Sequence, residues 1–145
     1  MSLLSVTRLK LKSPRYLPAF LINTERIARE IRTSEGFLQG QLMGTFNLSM
    51  WTMTLWNSEA TLKKFYLSGT HQKIMGKLSE WSSEAASVHM EVNNHQLLIW
   101  NDVIAEICRT GYFATLQEPS LDHRNRIIQK PNLILKTIFL SPKNK

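Results

Sequence analysis

Eight consecutive residues, Ser49 to Trp56, constrain this chain most. Trp51, Met53 and Leu55 alternate with Met50, Thr52, Thr54 and Trp56, so an extended segment here presents bulky groups to both sides. Such a strand belongs inside a sheet that is covered on both faces. The 145 residues are enough for about one domain with its own core, and 43% apolar against 20% charged residues excludes a disordered tail. Cys108 is the single cysteine, so no intrachain disulfide and no thiolate zinc site is expected, and a reducing cytoplasm is the expected setting. No apolar run reaches the roughly 18 residues of a membrane span, and Met1 to Val6 is too short for a signal-peptide core.

The net charge of +7 would suggest nucleic acid or an anionic surface if it were spread evenly. It is not. Residues 121–145 hold six basic and one acidic residue (+5) and residues 1–35 hold seven basic and three acidic (+4), which leaves −2 for the middle. Terminal excess of this kind describes solvated surface, and no nucleic-acid partner is expected. The RNA-recognition module shares the element order below, but its central strand follows (K/R)-G-(F/Y)-(G/A)-F-V-x-(F/Y), and Met50 to Trp56 has neither a basic residue nor a glycine.

Around the central strand the periodicities alternate. Ser5 to Lys12 reads as a strand; Ser13-Pro14 breaks it, and Leu17, Phe20, Leu21, Ile27 and Ile31 recur at helical spacing before Gly36. Phe37 to Met43 is a second strand. After Asn57-Ser58-Glu59, a polar helix start, Leu62, Phe65 and Tyr66 make an apolar face that Ser68-Gly69 interrupts. His71, Ile74, Met75 and Leu78 then fall at i, i+3, i+4 and i+7, which turns His71 inward. Ala86 to Val92 predicts a fourth strand, Leu97 to Thr110 a helix ending at Gly111, and Tyr112 to Leu116 and Leu133 to Leu140 two further strand-like runs. Strand, helix, strand, strand, helix, strand is the split β-α-β order, an α+β ferredoxin-like sandwich with its helices on one face. The open face then needs a cover, and a partner subunit supplies it most simply. Residues 1–111 form this domain, and residues 112–145 are a C-terminal extension packing on it.

The run Trp51-Thr52-Met53-Thr54-Leu55-Trp56-Asn57-Ser58-Glu59-Ala60-Thr61-Leu62, then Phe65, then Ser68-Gly69-Thr70-His71, resembles the signature of antibiotic-biosynthesis-monooxygenase-like proteins, over roughly residues 5–110. They belong to the dimeric α+β barrel superfamily, and the similarity is nearest to its small bacterial members of unknown function. The resemblance implies a homodimer with sheets packed face to face and one pocket per subunit between sheet and helices. It also implies three kinds of function: cofactor-free oxygenation of aromatic substrates, haem binding or degradation, and binding without catalysis.

The common nucleotide and hydrolase motifs are absent, and His71, His89, His95 and His123 lie on different elements without metal-ligand spacing, so no metal is assigned. His71 is the candidate catalytic residue, because an imidazole on an apolar helix face can act as a base, orient a substrate or ligate haem iron. A histidine after a helix break also serves simply to satisfy a carbonyl or fill the core. Trp51, Met53, Trp56, Met75, Trp81 and Asn23 are the candidate ligand-binding residues: the indoles stack on flat ligands, and the amide donates to a substrate. Tryptophans of this kind also serve as plain core. The expected function is a monooxygenase-like oxidoreductase acting on or binding a hydrophobic small molecule, including aromatic ones, with no cofactor or with haem; the alternative is a non-catalytic ligand-binding or structural homodimer.

Overall fold

The computed structural model describes residues 2–93, 97, 100–131 and 134–143. His95, weighed above as a metal ligand, and Leu98 and Leu133, which the sequence places in a helix and at a strand start, lie outside the described residues. The elements run β1 (Ser2–Leu11), α1 (Leu17–Thr33), β2 (Phe37–Thr45), β3 (Ser49–Trp56), α2 (Glu59–Tyr66), α3 (Gly69–Trp81), β4 (Ser82–Val92), α4 (Trp100–Thr110), β5 (Tyr112–Phe113), α5 (Leu121–Arg124) and β6 (Ile134–Leu140). The strands form one six-stranded antiparallel sheet in the order β5-β4-β1-β3-β2-β6, which puts the split β-α-β unit at its centre. Among the described residues no helix is long and apolar enough to cross a membrane.

Local chemistry fixes the element ends. Ser13 accepts a hydrogen bond from the Arg15 amide and Pro14 opens a 3₁₀ turn leading into α1. Gly36 sits at φ +83°, where a Cβ would lie 2.4 Å from Thr61 Oγ1 and 2.5 Å from Asn57 Oδ1, so the turn between α1 and β2 packs against the start of α2 only as glycine. Ser58 caps α2 by accepting from the Thr61 amide.

Register divides β3 as its alternation requires. Met50, Thr52, Thr54 and Trp56 face α1, α2 and α3, whereas Trp51, Met53 and Leu55 face the other side with Leu4 and Val6. The cover that the sequence reading assigns to a partner subunit is supplied here by the chain itself. Val103, Ile104 and Ile107 of α4, with Ile128, pack onto that second face, and Trp100 meets Trp51 edge-on at 5.6 Å. An amphipathic helix contributing three buried aliphatic side chains provides about 1.5–3 kcal/mol for each.

β4 begins four residues earlier than the hydrophobic alternation indicates. Ser82-Ser83-Glu84 is polar, but Glu84 is buried in an ion pair with Arg8 beneath the α4 side. Arg8 also donates to Ser49 Oγ at 3.3 Å, Ser120 donates to the second Glu84 oxygen at 2.8 Å, and the Arg8 guanidinium lies 5.5 Å from the Trp51 ring. Burial acts to raise the Glu84 pKa, but the hydrogen bond and charge of Arg8, with help from Ser120 and Lys10, outweigh it and hold the carboxylate below its ordinary value.

Candidate functional site

Between the sheet and α1–α3 lies a cavity of about 350 Å³. Its roof is largely apolar, with Phe20, Ile27 and Ile31 of α1, Leu62 and Phe65 of α2, and Ile74 and Leu78 of α3. Its floor is not. Cross-strand register aligns Thr54, Ser5 and His89 in one row and Thr52, Thr7 and Ser87 in the next. Among the described residues Ser5, Thr7, Thr52 and Ser87 make no side-chain hydrogen bond, so four half-buried hydroxyls are free to meet a ligand, while Thr54 accepts from Trp56 Nε1 at 3.0 Å. Among the described residues the lining includes no Asp, Glu, Lys or Arg.

Two histidines flank Tyr66 at the α2–α3 junction, with ring centroids 6.4 Å (His71) and 6.0 Å (His89) away. His71 also meets Phe65 edge-on at 5.3 Å. His71 Nδ1 lies 3.1 Å from the Tyr66 carbonyl oxygen. Because a carbonyl can only accept, Nδ1 carries the proton and, in the neutral ring, Nε2 keeps a lone pair. Burial pushes the His71 pKa below its ordinary 6.5, against the opposing effects of that hydrogen bond and of the Glu30 charge. His89 sits at the exposed mouth, yet partial burial lowers its pKa as well, opposed by Glu59. The arrangement therefore offers a neutral imidazole, fixed in one tautomer, in an uncharged cavity lined with hydroxyls.

Of the seven residues proposed from sequence, His71, Met75 and Asn23 line the cavity, with Met75 at its open side and Asn23 half-buried. Trp51 and Met53 do not. Strand parity sends them to the opposite face, where both are buried under α4. Trp56 and Trp81 lie on the helical side without lining the space. Trp56 stacks on Phe65 at 5.4 Å and meets Phe37 edge-on at 5.6 Å, and Trp81 stacks on Tyr16 at 6.1 Å. Tyr66, His89 and the hydroxyl rows are lining groups that the sequence reading did not select. Their signal was a repeated polar pair on one face of three strands, Ser5/Thr7, Thr52/Thr54 and Ser87/His89, where helices would otherwise demand apolar cover. Among the described residues no three His, Cys, Asp or Glu side chains are grouped to hold a metal.

The unit of β1–β4 with α1–α3 shares its α+β ferredoxin-like fold with solved structures described as antibiotic biosynthesis monooxygenases. Solved structures show that likeness directly. Rv0793 from Mycobacterium tuberculosis matches with a TM-score of 0.59 at 11% identity, covering 67% of this chain and 100% of its own. A protein described as an antibiotic biosynthesis monooxygenase matches at 0.56 and 12% identity, covering 63% and 99%. SnoaB from Streptomyces nogalater, described as a cofactor-independent oxygenase, matches at 0.51 and 16% identity, covering 67% and 96%. No protein-family model matches the chain, and no curated protein matches it in sequence.

Proposed function

We propose that this chain is a cytoplasmic, monooxygenase-like oxidoreductase that binds a hydrophobic small molecule, including aromatic ones, between the sheet and α1–α3. The observation that carries the reading is His71, a neutral imidazole whose Nδ1–H is committed to the Tyr66 carbonyl and whose Nε2 is available as a base in an uncharged cavity. A ligand O–H or acidic C–H gives its proton to Nε2. The resulting imidazolium keeps its Nδ1–H on the Tyr66 carbonyl, and the electron-rich anion left behind is the species that molecular oxygen oxidises. The free hydroxyls of Ser5, Thr7, Thr52 and Ser87 and the Asn23 amide orient the polar edge of the ligand, and the apolar side chains of α1–α3 cover its hydrophobic part. SnoaB, described as a cofactor-independent oxygenase, supports this reading by likeness of fold.

Oxygen uptake with dihydroxynaphthalenes tests it, comparing wild type with His71→Ala and His71→Gln. Loss of a general base lowers turnover by about 10²–10⁴-fold. A His71→Ala enzyme consuming oxygen at the wild-type rate refutes the assignment, and tight binding without turnover favours the non-catalytic alternative.

A second reading rests on the same tautomer. A histidine whose Nδ1–H is held by a carbonyl presents Nε2 as a metal ligand, so His71 would be the residue to hold a haem, whose iron would supply redox chemistry. With no lysine or arginine in the lining, the haem carboxylates would have to reach the mouth. A haemin titration beside His71→Ala separates the two, since a saturable Soret shift lost in the variant indicates ligation. The assembly proposed with either reading is a homodimer. Its support is β6, which exposes Leu135 (62%) and Phe139 (73%), and sedimentation of the purified protein checks it.

A further inference from the structure

The solved structures of like fold are matched almost whole by about two thirds of this chain, so the chain carries material beyond that unit. The segment after α4 reaches the cavity. After α4 the backbone turns at Gly111, where a Cβ would stand 2.5 Å from the Ile107 carbonyl oxygen, and joins the outer edge of β4 as β5, pairing Tyr112 with Ser87 and Phe113 with Ala86. Alternation then sorts the side chains. Phe113 turns to the α4 side, where it packs against the core and Arg126 lies 4.4 Å above its ring, whereas Tyr112, Ala114 and Leu116 line the cavity.

We propose that residues 112–116 are the end wall of the cavity and that Leu116 and Tyr112 are the side chains that set how long a ligand it accepts. The proposal rests on the reading of this cavity as an apolar ligand site. Its basis is how firmly the segment is held across the gap between β4 and α3. The Ala114 amide donates to the Ala85 carbonyl at 2.9 Å. The return bond of a regular antiparallel pair is replaced by the buried His123 ring: Nδ1 accepts from the Ala85 amide at 3.3 Å, and Nε2–H donates to the Ala114 carbonyl at 2.8 Å. That wedge swings the chain away from β4 and toward α3, where the Gln117 amide donates to the Ser79 carbonyl at 3.0 Å. Ala114 and Leu116 thereby close against Leu78 and Ala85 and shut the side that the edge of β4 alone leaves open. A wall fixed at both ends discriminates by length, because added methylenes gain affinity only while there is space for them.

Isothermal titration of the whole chain with 4-alkylphenols, from ethyl to octyl, reads this directly. Each buried methylene raises affinity by about fourfold, equivalent to about 0.8 kcal/mol, until the chain meets the wall and the gain stops. Leu116→Ala and Tyr112→Ala move the cut-off to longer phenols, and Leu116→Trp moves it to shorter ones. Tyr112 is 67% exposed, so its truncation leaves a folded protein even if Leu116 proves sensitive. Binding with the wild-type cut-off in both alanine variants overturns the wall while leaving the cavity reading intact. Failure of every phenol to bind the wild type removes the cavity reading and the wall with it.

Discussion

If α4 covers the second face of the sheet, truncating one of its fully buried side chains must destabilise the chain strongly. Ile107 is fully buried, against Trp51, Met53 and the aliphatic positions of β1. Ile107→Ala removes three carbons, worth about 2.4 kcal/mol at about 0.8 kcal/mol each. The cavity left behind brings the total into the range of about 2–5 kcal/mol seen for such truncations. A domain of this size loses roughly 2–4 °C per kcal/mol, so the unfolding temperature falls by about 4–20 °C. Circular dichroism during a thermal scan measures it, with Asn101→Ala on the exposed side of the same helix as control, expected within about 0.5 kcal/mol of wild type. A helix that stands off the sheet makes the two variants equivalent. Equal unfolding temperatures for Ile107→Ala and Asn101→Ala would therefore refute the packing and return the second face to a partner.

Other consequences are as specific. Burial lowers His71 and His89 below 6.5, so their contribution to stability is complete above that pH and is lost as the pH falls through the lowered folded values; chemical denaturation between pH 7 and 5 shows a declining midpoint, flattened in the His71→Ala, His89→Ala double variant. Glu84 has an ordinary value of 4.5 and is lowered in the fold, so a second decline begins only below about pH 4.5 and is smaller in a Glu84→Gln variant, which is itself less stable because Arg8 loses its counter-charge. His123→Ala leaves the Ala85 amide and the Ala114 carbonyl without partners, costing about 1–3 kcal/mol for each buried group, and hydrogen exchange at the Ala85 amide accelerates. Gly36→Ala forces a left-handed backbone and a clash with Thr61 together and lowers stability by more than about 1 kcal/mol in a denaturant titration.

The order of elements was legible because periodicity reports which positions face the core, and α1, β3, α2 and α3 each keep one period along their length. What it does not report is which of two covered faces a residue meets. Trp51 and Trp56 sit on the same strand five positions apart, and odd separation on a pleated strand puts them on opposite sides. Alternation alone does not say which face holds the cavity, so Trp51 and Trp56 both stood as candidates, whereas the 3.6-residue spacing of His71, Ile74, Met75 and Leu78 placed four lining residues together. Glu84 hid the start of β4 because a carboxylate reads as surface until its partner is known, and Arg8 is 76 residues away in sequence. His89 was hidden differently: a polar residue on a strand reads as solvent-facing, and only the helices over Ser5, Thr7 and Ser87 turn that polar row into a cavity floor.

The residues beyond Gly111 and the helix before it act on opposite sides of the same sheet. α4 buries Trp51 and Met53, which removes the physical need for a second subunit on that face. The segment that follows reaches round the edge of β4 to the other face and contributes Tyr112, Ala114 and Leu116 to the cavity. Phe113 and His123 couple the two sides, because their rings meet edge-on at 5.5 Å while the Phe113 side chain packs on the α4 core and the His123 imidazole holds the Ala114 carbonyl. Loosening α4 should therefore be felt in the cavity. An Ile107→Ala protein below its unfolding temperature relaxes the end wall through Phe113, so it binds the longer 4-alkylphenols with less discrimination than wild type. An unchanged length cut-off in that variant would show that the wall is held by β4 and α3 alone.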